Sequence, residues 1–241
     1  PSVVPLSFAQ SRLWFVDQFG GSQGRQPVYN MAVALRLRGR LDVGALGAAL
    51  GDVVGRHESL RTVFPAVDGV PRQVVVPVER ARVGFEVVDA SGWPVGRLSD
   101  AVDAAAGHSF DLAAEIPLRS WLFAVSGDEH VLVVVVHHIA ADGWSLGVLA
   151  ADVGVAYEAR CGGRAPQWAE LAVQYVDYTL WQRERLGELA DPESAVAGQL
   201  RFWERALAGM PERLALPTDR PYPLVADYRG ASVVVDWPAE L

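Results

Sequence analysis

The spacing of apolar residues predicts a chain in which helices and strands alternate. Residues 31–37 alternate apolar with smaller or charged side chains, which is the period-two pattern of a strand. Apolar residues at helical spacing predict a helix over residues 7–19, with Ser7 as its N-cap, and a helix over 42–56, capped by Asp42. Further elements are expected as short strands near 60–64, 73–78 and 83–88, helices over 94–107, 144–160, 168–186 and 193–207, and a last strand over 230–237.

The most apolar part of the chain predicts the centre of a sheet. Residues 118–125 and 131–136 have strand composition and flank a turn at 126–129, so they predict a hairpin. The second of these strands is apolar on both faces, which is typical of a strand inside a sheet. The sequence therefore predicts an α/β (α+β) chain with a buried central strand.

Composition and charge exclude several classes of protein. A chain of 241 residues with 51% hydrophobic content can bury a sizeable core, and its longest aliphatic run, 131–136, is too short to cross a bilayer. The net charge of -8 argues against nucleic-acid binding. A single cysteine, Cys161, excludes an internal disulfide and a thiolate zinc site. We expect a cytoplasmic protein with no signal peptide and with neither nucleic-acid nor membrane partners.

Candidate chemistry stands at the end of the central strand, where His137 and His138 are followed by Asp142 and Gly143. Strand alternation places the two histidines on opposite faces, so one can face a cavity while the other packs behind it. Alternation does not say which. The histidines also fit a structural role at a polar strand edge, and Asp142 also fits the N-cap of the next helix. His138 and Asp142 lack a third ligand, so we expect no metal.

The run Gly143-Trp144-Ser145-Leu146-Gly147 matches the nucleophile pattern of α/β hydrolases. That fold places its histidine after the serine in the chain, whereas all five histidines of this chain precede Ser145. We therefore expect Ser145 to make polar contacts in the first helical turn. Gly143 is expected to let another group pass close to the backbone.

Residues 136–145 (Val-His-His-Ile-Ala-Ala-Asp-Gly-Trp-Ser) resemble the third core motif of nonribosomal peptide synthetase condensation domains. Residues 7–14, 56–64 and 175–182 resemble the first, second and fourth motifs, in family order. Four ordered motifs are far more specific than one. The resemblance implies a chloramphenicol acetyltransferase-like lobe, a mixed β-sheet flanked by helices. It also implies a catalytic N-terminal lobe at residues 1–165, and connecting helices with the truncated start of a second lobe at 166–241.

The same resemblance implies amide bond formation, in which a carrier-bound aminoacyl amine attacks an upstream carrier-bound thioester. His138 is then the catalytic residue, His137 its packing or hydrogen-bonding partner, and Gly143 lines a substrate tunnel. Asp142 is expected to form a buried ion pair with Arg61, whose one-sided loss costs about 3–5 kcal/mol. Structural support of the site is assigned to Arg61, Arg12, Trp144 and Ser145.

Little basicity is required of His138 in this chemistry. An α-amine has a pKa of about 7.7–8.0, so its deprotonation at pH 7 costs only about 1 kcal/mol. We expect His138 to orient the amine and to receive its proton. No cofactor is expected to bind directly, because the resemblance implies substrates carried on phosphopantetheine arms. The implied partners are donor and acceptor carrier domains and neighbouring adenylation and epimerisation domains, in antibiotic and other secondary metabolism.

Three alternatives stay open. An epimerisation domain shares the fold and the His-His motif, although the first and second motifs here are closer to condensing members. A noncatalytic recruitment module also shares the fold, but such members have usually lost the second histidine. The isolated chain is also expected to be inactive by itself, because the cleft needs both lobes. Residues 139–145 are similar to the subgroup that accepts a donor with a D-configured terminal residue.

Overall fold

The computed structural model describes residues 4–19, 27–221, 224 and 233–237. The strands are β1 Asn30–Arg38, β2 Thr62–Val63, β3 Ala66–Val67, β4 Val70–Pro71, β5 Val74–Val75, β6 Gly84–Asp89, β7 Leu118–Ser126 and β8 Glu129–His137. The α-helices are α1 Phe8–Phe19, α2 Val43–Arg56, α3 Val95–Ala106, α4 Gly143–Cys161, α5 Tyr175–Leu186 and α6 Ala195–Ala206, and 3₁₀ helices cover Pro27–Tyr29 and Glu58–Arg61.

A four-stranded sheet in the order β1-β8-β7-β6 forms the centre of the molecule. The β7–β8 hairpin and the β1–β8 pair are antiparallel, whereas β6 and β7 run parallel. The predicted mixed sheet is therefore confirmed. Strand β8 is paired on both sides, and its residues 130–133 and 135–137 are buried, as its apolar composition predicts.

The two faces of the sheet pack against different helices, as strand alternation requires. One face meets α2 through a cluster of Leu46, Leu50, Leu122 and Leu132. The other face carries the cluster that includes Leu6, Ala105, Phe110, Val133 and Val135. Helix α2 begins where predicted, with the Asp42 carboxylate accepting from the Ala45 N–H, and its apolar residues Leu46, Leu50, Val53 and Val54 are buried. The sheet is thus flanked by helices on both faces, as predicted.

Four elements differ from the prediction. The helix predicted from residue 168 begins at Tyr175, because Arg56 donates to the Ala169 carbonyl and stacks on the Trp168 ring, which holds the preceding residues in an irregular path. The strands predicted near 60–64 and 73–78 shrink to β2 and β5. Of the strand predicted over 230–237, residues 230–232 lie outside the described residues, and 233–237 have no regular structure.

Within the described residues, no helix has both the length and the apolar character that crossing a membrane requires.

Candidate active site

The 137–145 segment joins the end of β8 to the first turn of α4. Backbone hydrogen bonds anchor it on both sides: the His137 N–H donates to the Pro117 carbonyl at 3.0 Å, and the His138 N–H donates to the Tyr29 carbonyl at 2.8 Å. The Ala140 N–H closes a turn by donating to the His137 carbonyl at 3.0 Å. The two histidines therefore stand on a backbone that neighbouring segments hold in place.

His137 is buried, with 4% of its surface exposed. Its Nδ1 accepts from the Ile139 N–H at 3.1 Å, which leaves the proton of the neutral ring on Nε2. The ring centroid of Phe110 lies 6.1 Å from that of His137 in an edge-to-face arrangement, and the ring centroid of Tyr29 lies 6.3 Å away. Burial first, and the neighbouring charge of His138 second, lower the pKa of His137 to about 4. This histidine is consequently neutral near pH 7.

His138 has the opposite environment. Its side chain is exposed, and its ring makes no hydrogen bond with the described residues. Strand alternation required one histidine to face inward and the other outward, and the structure selects His138 as the accessible imidazole. Its ring can therefore meet a substrate without displacing a protein partner.

Asp142 caps α4. Its Oδ1 accepts from the Ser145 N–H at 2.9 Å and from the Ser145 hydroxyl at 2.6 Å, while the Asp142 N–H donates to the same hydroxyl at 3.1 Å. This is a reciprocal capping box. The hydrogen bonds from Ser145 lower the pKa of Asp142, and the charge of His138 lowers it further.

The predicted ion pair between Arg61 and Asp142 is wrong. The Arg61 guanidinium donates to the Val76 carbonyl at 2.7 Å and to the Glu58 carboxylate at 3.3 Å, and among the described residues no ion pair joins it to Asp142. Two local effects explain the difference. Glu58 is three residues from Arg61 within one 3₁₀ helix, and Ser145 already occupies the Asp142 carboxylate.

The other predicted support residues lie at the surface. Trp144 is 87% exposed. Arg12 is also exposed, and it makes no hydrogen bond or ion pair with the described residues. A Cβ atom added at Gly143 would meet nothing within 4 Å. The face of the segment that carries Gly143 and Trp144 is therefore open.

A cavity of about 150 Å³ lies beside the segment. It is lined by His57, Ser59 and Leu60 before β2, and by Ala140, Ala141, Trp144, Ser145, Val148 and Leu149. His57 is held by Asp152 of α4, whose Oδ2 lies 2.7 Å from His57 Nε2. Within the part of the chain described, no group of three histidine, cysteine or carboxylate side chains is placed to hold a metal ion.

The start of α5 also reaches this region, although residue spacing gave no sign of it. Gln174 Oε1 accepts from the Glu58 N–H at 3.1 Å, and the Tyr175 hydroxyl lies 2.9 Å from Ser7 Oγ. Ser7 and Tyr175 are 168 residues apart in the chain. Their segments resemble the first and fourth motifs, which is the one signal that could have singled them out.

Comparison with known proteins identifies the family. The sequence profile described as "Condensation domain" matches residues 2–241. This chain belongs to the condensation domain family. Its fold and its four ordered motifs agree with that membership. The predicted family and the fold class are both confirmed.

Relatives of this condensation domain chain are peptide synthetases. The isonitrile lipopeptide synthase of Mycobacterium tuberculosis (strain ATCC 25618 / H37Rv) is 68% identical over 241 residues, which cover 100% of this chain and 10% of that protein. The dimodular nonribosomal peptide synthase of Bacillus subtilis (strain 168) is 49% identical over 233 residues, 97% of this chain and 10% of that protein. The chain therefore spans about a tenth of the length of these relatives.

Solved structures show the same fold. The X-domain from teicoplanin biosynthesis is 41% identical, with a TM-score of 0.80 over 92% of this chain and 47% of that chain. The starter condensation domain of the rhizomide synthetase RzmA, at 22% identity, has a TM-score of 0.71 over 88% of this chain and 49% of that chain, and it supports the fold alone. The condensation domain chain described here spans just under half of each solved relative.

Proposed function

We propose that this chain supplies the His138-bearing lobe of a condensation domain that forms amide bonds in nonribosomal peptide synthesis. One observation carries the proposal. At the end of the central strand, His138 presents an accessible imidazole, while His137 behind it is buried and neutral. A site with one solvent-facing histidine on a fixed backbone suits general-base chemistry on a substrate amine.

The proposed reaction joins two carrier-bound substrates. The α-amine nitrogen of the acceptor attacks the thioester carbonyl carbon of the donor, so a C–N bond forms and the C–S bond breaks. His138 accepts the proton that the nitrogen loses, and this proton ends on the departing thiolate. Because the amine needs little help to lose a proton at pH 7, the main work of His138 is to orient the amine and stabilise the charge that develops.

Both substrates are proposed to arrive on phosphopantetheine arms of donor and acceptor carrier domains, with no cofactor held by the chain itself. The open space at Gly143 supports a passage beside the segment, since a side chain there would project into it. We infer that residues 1–165 form the catalytic lobe and that 166–241 lead into a second lobe. The solved relatives are about twice as long, which supports activity only with both halves. The cytoplasmic location stays a prediction.

The test is an assay for the dipeptidyl thioester on the acceptor carrier, with D- and L-terminated donors. It uses a two-lobed condensation domain that contains this chain, and this chain by itself. His138→Ala is expected to slow condensation by about 10²- to 10⁴-fold, the usual contribution of a general base. Because His138 is exposed, the variant should keep its melting temperature, which serves as the folding control. Unchanged turnover in the folded variant would contradict the proposal.

A second candidate function is a binding module that joins no peptides. The likeness to the X-domain from teicoplanin biosynthesis, which was solved in a complex with OxyB, favours it. This chain keeps the second histidine, His138, which such modules have usually lost, and its presence favours condensation. If the two-lobed protein yields no dipeptidyl thioester but binds a partner enzyme, the binding module is the correct assignment. If it exchanges the α-proton of a carrier-bound peptide, it is an epimerisation domain.

A further inference from the structure

A buried glutamine outside all four motifs joins the first described residues of the chain to helix α5. Gln73 is 4% exposed. Its Nε2 donates to the Pro5 carbonyl at 2.9 Å and to Thr179 Oγ1 at 3.2 Å, and its Oε1 accepts from Gln10 Nε2 at 3.2 Å. We call Gln73 with Pro5, Gln10 and Thr179 the Gln73 hub. It connects the segment before α1, α1 itself and α5.

The direction of each hydrogen bond in the Gln73 hub is determined. The Pro5 carbonyl can only accept, so the amide nitrogen of Gln73 must face it. Gln10 Oε1 accepts from the Ser7 N–H at 3.0 Å, which turns the Gln10 amide nitrogen toward Gln73. Gln10 is 2% exposed and Thr179 is 0% exposed. A satisfied network in such a buried place favours one arrangement of the elements that it joins.

The Gln73 hub continues directly into the start of α5. Thr179 Oγ1, which accepts from Gln73, donates in turn to the Tyr175 carbonyl at 3.0 Å. The Tyr175 hydroxyl lies against Ser7, which is fully buried. Burial raises the pKa of Tyr175, and the charges of Tyr178 and Asp142 raise it further, so the phenol stays protonated. Tyr175, in the first turn of α5, is therefore held at both its backbone carbonyl and its side-chain hydroxyl.

From the start of α5, contacts lead to the 137–145 segment. Gln174 precedes Tyr175 and binds the backbone on both sides of His57: its Nε2 donates to the Arg56 carbonyl at 3.0 Å, and its Oε1 accepts from the Glu58 N–H at 3.1 Å. Leu60, in the same 3₁₀ helix as Glu58, packs in a cluster with Ala140 and Ala141. The loop that follows His138 thus packs against the 3₁₀ helix Glu58–Arg61, and Gln174, at the start of α5, holds that helix in place.

We propose that Gln73 is a positioning residue of the condensation site, which fixes α5 and, through Gln174 and Leu60, the loop after His138. This inference rests on the proposed function, because it assigns Gln73 a role in the same reaction. Gln73 touches no substrate in this scheme. It acts by limiting the motion of α5 and of the 3₁₀ helix Glu58–Arg61, against which the 137–145 segment packs.

The test replaces Gln73 with a side chain of similar size that cannot hydrogen-bond. Gln73→Met removes the acceptor for the buried Gln10 Nε2 and the donor to the partly buried Pro5 carbonyl. Gln167→Met is the matched control, because Gln167 is exposed and makes no hydrogen bond with the described residues. Both variants are made in the two-lobed condensation domain and are studied below the temperature at which either begins to unfold.

Two readouts are combined. Amide hydrogen exchange over residues 176–186, measured without substrate, should become about 10- to 100-fold faster in Gln73→Met and should not change in Gln167→Met. In the condensation assay, kcat should fall about tenfold in Gln73→Met while KM for the carriers stays the same, as expected for a displaced catalytic loop. A purely structural role would lower the melting temperature but leave the kcat of the folded protein unchanged.

A double variant tests whether Gln73 acts on the loop after His138 through Gln174. If Gln73 acts through the start of α5, the kcat of Gln73→Met/Gln174→Met should be no lower than that of the slower single variant. If the kcat losses of the two single variants multiply in the double variant, Gln73 does not act through Gln174. Normal amide exchange at α5 in Gln73→Met would overturn the role of the Gln73 hub. If the unsubstituted protein makes no dipeptidyl thioester but exchange at α5 still responds to Gln73→Met, the proposed function fails while the hub's hold on α5 is supported.

Discussion

Acidification should destabilise this protein through His137 in particular. The unfolded chain binds a proton at His137 with the ordinary pKa of 6.5, whereas burial lowers the pKa of the folded protein to about 4. Between these values the unfolded state holds more protons than the folded state, so stability is present above pH 6.5 and is lost as the pH falls toward 4. The opposite sign would hold for a histidine paired with a carboxylate.

The magnitude follows from the same two pKa values. Each pKa unit is equivalent to about 1.36 kcal/mol, so the full effect is about 3 kcal/mol, of which about 2 kcal/mol has been lost at pH 5. His137 is 4% exposed, so solvent screening reduces this little. A loss of that size is a large part of the stability of an ordinary domain.

The assay is urea denaturation from pH 7.5 to 4.5 of the unsubstituted chain and of His137→Asn. Asparagine keeps an acceptor near the Ile139 N–H but does not titrate, so the difference between the two pH curves isolates His137. His138→Asn is the companion variant, and removal of its charge should raise the pKa of His137. Parallel pH curves for the unsubstituted chain and His137→Asn, or a His137 resonance that titrates near 6.5, would refute the reasoning.

Two further predictions concern the first turn of α4. Asp142→Ala should cost about 1 kcal/mol in urea denaturation, as the loss of a helix cap does, and a cost of about 3–5 kcal/mol would instead indicate a buried ion pair with Arg61. Gly143→Leu should change the free energy of unfolding by less than about 0.5 kcal/mol, because an added Cβ meets nothing within 4 Å, yet it should slow condensation by filling the passage. Normal turnover in that variant would contradict the passage role of Gly143.

The elements that the sequence predicted well are those with a strong local pattern. The alternation over residues 31–37 became β1, and the helical spacing after Asp42 became α2 with Leu46 and Leu50 buried. The apolar run at 131–136 became β8 inside the sheet. Each of these depends on which side of a regular element faces the core, and periodicity reports that directly.

The candidate site shows the same difference between features that a local pattern predicts and features that depend on the fold. The sequence identified the 137–145 segment and required its two histidines to face apart, because neighbouring strand residues always do. Which histidine is buried depended on Phe110 and Tyr29, which the fold brings against His137.

Only the tertiary structure decided the polar contacts between distant parts of the chain. It paired the Arg61 guanidinium with the Val76 carbonyl, placed the start of α5 at Tyr175, and assembled the Gln73 hub. The Gln73–Thr179 hydrogen bond joins residues 106 positions apart. No periodic pattern encodes such a bond, because it forms only where packing of the apolar faces has already brought distant donors and acceptors within about 3 Å of each other.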